Sequence, residues 1–468
     1  MKRGLIESFM AGIFDVRYGE RYSTIIYYFI PEYITALLLF SLPVWVDNYF
    51  VSCLRSTSIY ATLGVTTTLI HLLIKSIEGL SVGTLILTGQ FNGADDYPKA
   101  GKVLKNAFWI SNIVGIFLAT FLYFGAGLIY HFLAVPSEMV EAGIRYLQLR
   151  AIGIFLIFIY FAFVGFLRGI KNPKIPMIIF AIGAIIFVIL DPMLILGYGS
   201  IPPLGLYGSA VASIVQYAVM STLAFAYVLF SRRTRPYLIK LFALPDIGYI
   251  REIIMLSWPV IIDKSILAGS YLWLCKIFGP MGTQGLAVYS VIRDMERFSF
   301  LPAIALSQVI TLLVSNYVGA GQWGMVKSTI KRVLFLAFCM VFTLLLIFSL
   351  IPQAIVHIFD KQGDFTIFAA HVFPAVSVLI FCDLIQLILA GALRGAAQVR
   401  VVMLTRLVFL LFFIPTSWWV SILHLRADIK FIAIYSVFYL GNAFMSIFYV
   451  YWFRSGRWKK KIEVQNDD

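Results

Sequence analysis

Apolar runs of 20 or more residues recur along the whole of this 468-residue chain, and no other feature limits its fold so strongly. As helices, such runs are long enough to cross a hydrocarbon layer about 30 Å thick. The chain is 61% hydrophobic and only 13% charged, against roughly 25% charged in soluble domains. No alternating pattern marks the strands of a barrel. Within lipid the backbone has to satisfy its own hydrogen bonds, so the runs are helices. The class is an all-α membrane protein with twelve transmembrane helices. The first six spans fall at about 25–53, 62–88, 103–130, 146–167, 176–197 and 206–230. The second six fall at about 252–278, 284–314, 329–356, 366–393, 401–423 and 431–453.

The net charge of +14 is placed unevenly. With both tails on one side, that side holds 25 Lys and Arg residues and the other side six. The excess marks the cytoplasmic face, puts both termini there and requires an even number of spans. Basic residues spread this way along one membrane face do not make a nucleic-acid surface. Residues 1–24 form a charged cytoplasmic N-tail with no cleavable signal peptide, and 454–468 form a cytoplasmic C-tail. The expectation is a multi-pass protein of the cell's inner membrane, a monomer whose partners are the bilayer and a small-molecule substrate.

Enzyme chemistry has no footing. Cys53, Cys275, Cys339 and Cys382 form no CxxC pair and are expected to be small buried hydrophobes. The five histidines show no ligand spacing, and neither a phosphate loop nor a Ser-His-Asp pattern is present. No cofactor and no resident metal are expected.

The chain repeats itself. "FAFVGFLRG" (161–169) and "LILAGALRG" (387–395) both end an apolar run in Leu-Arg-Gly. Laying Arg168 on Arg394 sets a 226-residue register, and the same offset brings Gly165, Gly169 and Met177 onto Gly391, Gly395 and Met403. It also brings Gly93 and Ala94 onto Gly319 and Ala320, and Ala61 onto Ala287. The chain is therefore two six-span halves, an N-lobe at 25–230 and a C-lobe at 252–453, joined by the basic cytoplasmic linker 231–251. Six spans is an even number, so the halves are parallel repeats, one of the repeat plans of secondary transporters. Both arginines read as anchors at cytoplasmic helix ends, favoured by the helix dipole, with the following glycine as a helix stop.

Eight stretches resemble the MATE (multidrug and toxic compound extrusion) transporters. In the first half they are "SLPVWVD" (41–47), "GQFNGADDYPKA" (89–100), "GFLRGIKNPKIP" (165–176) and "LDPMLILGYGSIPPLGLYGSAVAS" (190–213). In the second they are "SWPV" (257–260), "FGPMGTQGLAVYSV" (278–291), "SNYVGAGQ" (315–322) and "FCDLIQLILAGALRG" (381–395). The resemblance implies two six-helix lobes in a V-shaped bundle. It implies antiport of organic cations and other amphipathic compounds against Na⁺ or H⁺, the coupling ion, by alternating access.

Ionisable groups at membrane depth are costly and point to function. Asp47 follows Pro43, which deprives the Leu39 carbonyl of its helical partner. Asp191 precedes Pro192. A carboxylate beside a bent helix suits a hard cation or a proton. The resemblance makes Asp47 and Asp191 the N-lobe coupling site and Ser213 its helper. It places an Asn one turn before Asp191, where this chain has Phe187, which weakens Na⁺ and favours H⁺. The resemblance also makes Asp383 the C-lobe acid, and Gln386 shares its helix face. Its Na⁺ partner, a Glu in the seventh span, is Leu267 here, near Asp263 and Lys264.

Two further clusters are candidates for a cavity wall. Arg293, Asp294, Glu296 and Arg297 occupy about a 160° arc of the eighth span at 100° per residue; the plain reading is a self-neutralising ion network. His71, Lys75 and Glu78 share one side of the second span, and the repeat register sets His71 against Arg297. Lys75 and Glu78 read as a structural pair. Most aromatic residues, Trp45, Trp418 and Trp419 among them, read as interface belt or packing. The alternative function is a flippase for lipid-linked oligosaccharides or other amphiphiles, supported by Lys75, Arg150, Lys264, Arg293 and Arg297 within the spans. A non-transporting scaffold is disfavoured by internal acids set beside prolines.

Overall fold

The computed structural model describes residues 13, 20–40, 42–132, 136–199, 202–359 and 365–459. Lys2, Arg3, Glu7, Asp15 and Arg17 of the N-tail, Lys361, and Lys460 and Lys461 of the C-tail lie outside them. The described chain is all-helical. The first expected span appears as α1 (Tyr22–Phe40) and α2 (Leu42–Ser52), on either side of residue 41, which is outside the described residues. Then follow α3 (Thr57–Gly93), α4 (Tyr97–Phe132), α5 (Ser137–Gly169), α6 (Lys174–Leu196) and α7 (Leu206–Phe230). The second half holds α8 (Ile247–Phe278), α9 (Gly282–Gly319), α10 (Trp323–Leu350), the short α11 (Pro352–Phe359), α12 (Thr366–Gly395), α13 (Val399–Ile422) and α14 (Ala427–Ser455). Eleven of these, α3 to α10 and α12 to α14, are each long and apolar enough to cross a membrane. Several outrun the apolar spans because hydropathy marks only the lipid-facing part, while helical hydrogen bonding continues into polar turns such as Gly89–Gly93.

The chain divides into two compact units. The first comprises residues 34–261; the described residues of the second are 20–33 and 262–459. The cuts fall inside α1 and α8. Ile25 and Phe29 of α1 belong to the core of the second unit. The first half of α8 packs in the first unit, where a Cβ on Gly83 would meet the Ser257 hydroxyl and one on Gly79 would meet the Ile261 side chain. The segment before α8 lies against the first unit as well. Lys105 Nζ donates to the Leu244 carbonyl at 2.7 Å, Trp109 Nε1 to that of Ala243 at 3.1 Å, and Tyr237 hydroxyl to Asn92 Oδ1 at 2.6 Å. Burial pushes the Tyr237 hydroxyl up to about 12, so it remains a donor.

Each unit repeats the packing of the other. In the first, α5 packs against α3, α4 and α7; in the second, α12 packs against α9, α10 and α14. The repeat register holds in atomic detail. A Cβ on Gly165 would lie 2.5 Å from the Ser81 carbonyl oxygen, and one on Gly391 2.6 Å from that of Ser307. Cβ atoms on Gly169 and Gly395 would collide with Thr88 and with the Thr311 carbonyl at 2.6 Å. Both Leu-Arg-Gly motifs thus end a Gly-x-x-x-Gly stripe where two helix backbones touch. The helix-stop reading of these glycines is corrected: the left-handed residues at these exits are Lys171 (φ 57°) and its counterpart Ala397 (φ 60°). Asp95 (φ 60°) and Gly321 (φ 72°) form a second such pair. A further correction concerns the cysteines: all four are free, but Cys53 and Cys339 are exposed.

Candidate functional site

In the first unit, three helices converge on two acids. Asp47 lies on α2, whose first turn holds Pro43, where a missing N–H costs nothing. Asp191 lies on α6, and Pro192 after it removes the helical partner of the Val188 carbonyl. Both acids are five residues from the end of their helices, and Ser209 is three residues into α7. Asp47 is buried, and its Oδ1 accepts a hydrogen bond from Ser209 Oγ at 2.5 Å. Asp191 is fully buried, and neither carboxyl oxygen has a hydrogen-bond partner among the described residues. Its neighbour is the Asp47 carboxyl.

One cation faces this pair. Arg150 of α5 is buried, donates from Nη1 to Ser213 Oγ and stands 5.9 Å over the Tyr146 ring. It interacts electrostatically with both acids. The Tyr146 hydroxyl is 3.5 Å from Ser209 Oγ and closes that side. Ser213, expected as a helper to an ion, instead holds the arginine. Phe187, in the place of the implied Asn, is buried and apolar. The arrangement contains two carboxyl groups and one guanidinium, so one negative charge is left for a proton or a bound cation to balance.

In the second unit the charges are arranged differently. Asp263 of α8 is gripped by two arginines, with Arg394 Nη2 at 2.5 Å from Oδ2 and Arg406 Nε at 3.1 Å from Oδ1. Arg406 Nη1 also donates to Asn442 Oδ1 at 3.1 Å, and its charge reaches the buried Asp383. Arg394 is therefore the partner of a buried acid as well as the basic residue of its helix's last turn. Gln386 is buried three residues beyond Asp383, beside the Tyr449 hydroxyl. Lys264 is half-buried, and Leu267 packs against the apolar core.

The arc on α9 separates. Arg297 is exposed, Arg293 and Asp294 are half-buried, and Glu296 is buried. No ion pair joins the four among the described residues, so the self-neutralising network is corrected. Glu296 Oε1 instead accepts from the Tyr271 hydroxyl at 3.0 Å. On α3, His71 is exposed, and Lys75 pairs with Glu78 at 3.2 Å.

Sequence reasoning did not single out Ser209, Tyr146 or Arg406, and it weighed Arg150 only as a basic wall. Glu32, also missed, is 3% exposed within α1. The available signal was the list of bases within the spans, since a buried acid requires one nearby. No cluster of three or more His, Cys, Asp or Glu residues able to hold a metal occurs among the described residues.

Duplicated six-span halves with acids and bases buried at membrane depth define a multi-pass membrane transporter. The MatE family profile matches residues 33–193 and again residues 259–419, two segments set in the same register as the internal repeat. The chain belongs to the MatE family. It is 25% identical over 346 residues to the probable multidrug resistance protein NorM of Pseudomonas putida, covering 72% of this chain and 74% of that one. It is 23% identical over 318 residues to the protein of the same description from Thermotoga maritima, covering 68% of each. A crystal structure of MATE in the bent conformation shares its fold with a TM-score of 0.84, at 19% identity over 92% of this chain and 94% of that one. An outward-facing multidrug resistance MATE family transporter of the MOP superfamily gives 0.81, at 19% identity over 92% and 95%.

Proposed function

We propose that the protein is a secondary antiporter that exports organic, cationic or amphipathic compounds in exchange for protons, with Asp47 and Asp191 as the coupling pair. The observation that supports this is two neighbouring buried carboxyl groups with a single guanidinium beside them. Two neighbouring buried carboxylates repel each other, so a proton on one of them is favoured. Na⁺ asks for several oxygen ligands, and Phe187 offers none while Arg150 repels a second cation. Proton binding drives transport only if it differs between the two conformations. Separation of the Asp47–Asp191 pair on proton release supplies that difference. The Lys and Arg bias supports an inner-membrane location with both termini in the cytoplasm, and a monomer suffices for the cycle. The flippase alternative loses support because two of its five basic residues are engaged within the first unit: Lys75 with Glu78, and Arg150 with Ser213 and the acid pair.

The test is uptake of a fluorescent organic cation by liposomes holding the purified protein, with H⁺ and Na⁺ gradients imposed separately. A pH gradient alone drives transport in the wild type. Asp47→Asn and Asp191→Asn fold but lose gradient-driven transport. Transport driven by Na⁺ at zero pH difference, or unchanged in both variants, overturns the proposal.

A further inference from the structure

Glu296 is a buried acid of the second unit that no ion pair joins among the described residues. It is 4% exposed on α9. One carboxyl oxygen accepts from the Tyr271 hydroxyl at 3.0 Å; the other, Oε2, is buried with no hydrogen-bond partner among the described residues. The groups that face it come from four helices. Tyr271 is on α8, Tyr289 and Arg293 on α9 itself, Asp383 on α12, and Tyr435 and Tyr439 on α14. Apart from Arg293 and Asp383 these are neutral. The Tyr439 hydroxyl is near the carboxyl group and, like that of Tyr435, is buried without a hydrogen-bond partner among the described residues. Arg293 makes no ion pair with Glu296 within 4.0 Å. It stands 6.0 Å over the Tyr289 ring. The Tyr289 hydroxyl in turn donates to the Tyr271 carbonyl at 2.7 Å, which fixes the ring next to Glu296. Asp383 differs, since it lies beside Arg406.

A buried carboxylate without an ion-pair partner is costly, and a proton removes that cost. We infer that Glu296 is a second proton-binding carboxyl, lodged among tyrosine hydroxyls of the second unit and separate from the Asp47–Asp191 pair. The proton forms its bond at Oε2. Tyr271 keeps its hydrogen bond to Oε1 in either state, so the site takes and gives a proton without rebuilding its surroundings. The inference deepens the proton-coupled reading and rests on it for its role in transport, whereas proton binding by Glu296 stands without it.

Infrared difference spectroscopy of the lipid-reconstituted protein during a pH titration reads protonated carboxyl groups directly through their C=O stretch. The expected result is that Glu296→Gln removes one such band and leaves the band sensitive to Asp47→Asn, and that Asp47→Asn does the reverse. Tyr271→Phe shifts the Glu296 band without removing it. An unchanged carboxyl spectrum in Glu296→Gln overturns the inference. A spectrum altered by Glu296→Gln but not by Asp47→Asn or Asp191→Asn overturns the coupling pair and leaves Glu296 standing. If Glu296→Gln does not yield folded protein, Tyr271→Phe decides, and an unshifted spectrum counts against the inference.

Discussion

Two positions in each half of the chain occupy the same register yet hold different chemistry. In the first unit they are Asp47 and Asp191, neighbouring buried acids that interact electrostatically. In the second, the matching positions of the repeat are Trp273 and Ser417, whose indole N–H donates to the hydroxyl at 2.8 Å. The duplicated scaffold keeps the contact between the first and fifth spans of each half while replacing a titratable pair with a neutral hydrogen bond. The second unit buries charge elsewhere, and there Arg394 and Arg406 together balance Asp263. The same pair of repeat positions thus holds two acids in one half and a neutral hydrogen bond in the other.

That comparison can be broken at several points. The largest effect is expected at the network found only in the second unit. Asp263→Ala strands two arginines and costs about 3–5 kcal/mol, read as loss of folded protein or a sharp fall in apparent Tm. Next comes the shared stripe. Gly165→Leu and Gly391→Leu each force apart touching backbones at a cost of about 1–3 kcal/mol. Matching losses of thermal stability sharpen the equivalence of the halves, and a loss in only one of them breaks it. Trp273→Phe removes one hydrogen bond, worth about 1 kcal/mol, and leaves gradient-driven transport intact. A coupling defect in that variant would show the neutral pair doing the work assigned to the acids. The smallest effect belongs to Lys75→Ala, about 0.2–0.5 kcal/mol for a pair three residues apart on a helix, measurable by chemical unfolding.

Much of the architecture was legible before any coordinates. Hydropathy located the spans, because burial in lipid is a local property of each run, but not the helix ends: α5 begins at Ser137, well before the expected 146. The repeat register was visible from a handful of glycines, and left-handed residues at 171 and 397 confirm it. The role of those glycines was not legible. A glycine at a helix end looks the same whether it relieves strain or admits a neighbouring backbone, and only the position of Ser81 and Ser307 decides. The arc of Arg293, Asp294, Glu296 and Arg297 looked self-sufficient on a helical wheel, but Glu296 turned to Tyr271 on another helix.

The sequence by itself determined the all-helical class and the duplication, and pointed to Asp47, Asp191 and Asp383 as acids within the spans, since each follows from spacing along one chain. Tertiary structure alone decided that Asp191 meets Asp47, that Arg150 turns to Ser213 and that Arg406 reaches Asp263. The physical reason is that a charge is balanced by whatever lies within a few ångströms of it. Each of these partners sits on a different helix, far along the chain from the other, and the two come together only when the helices pack.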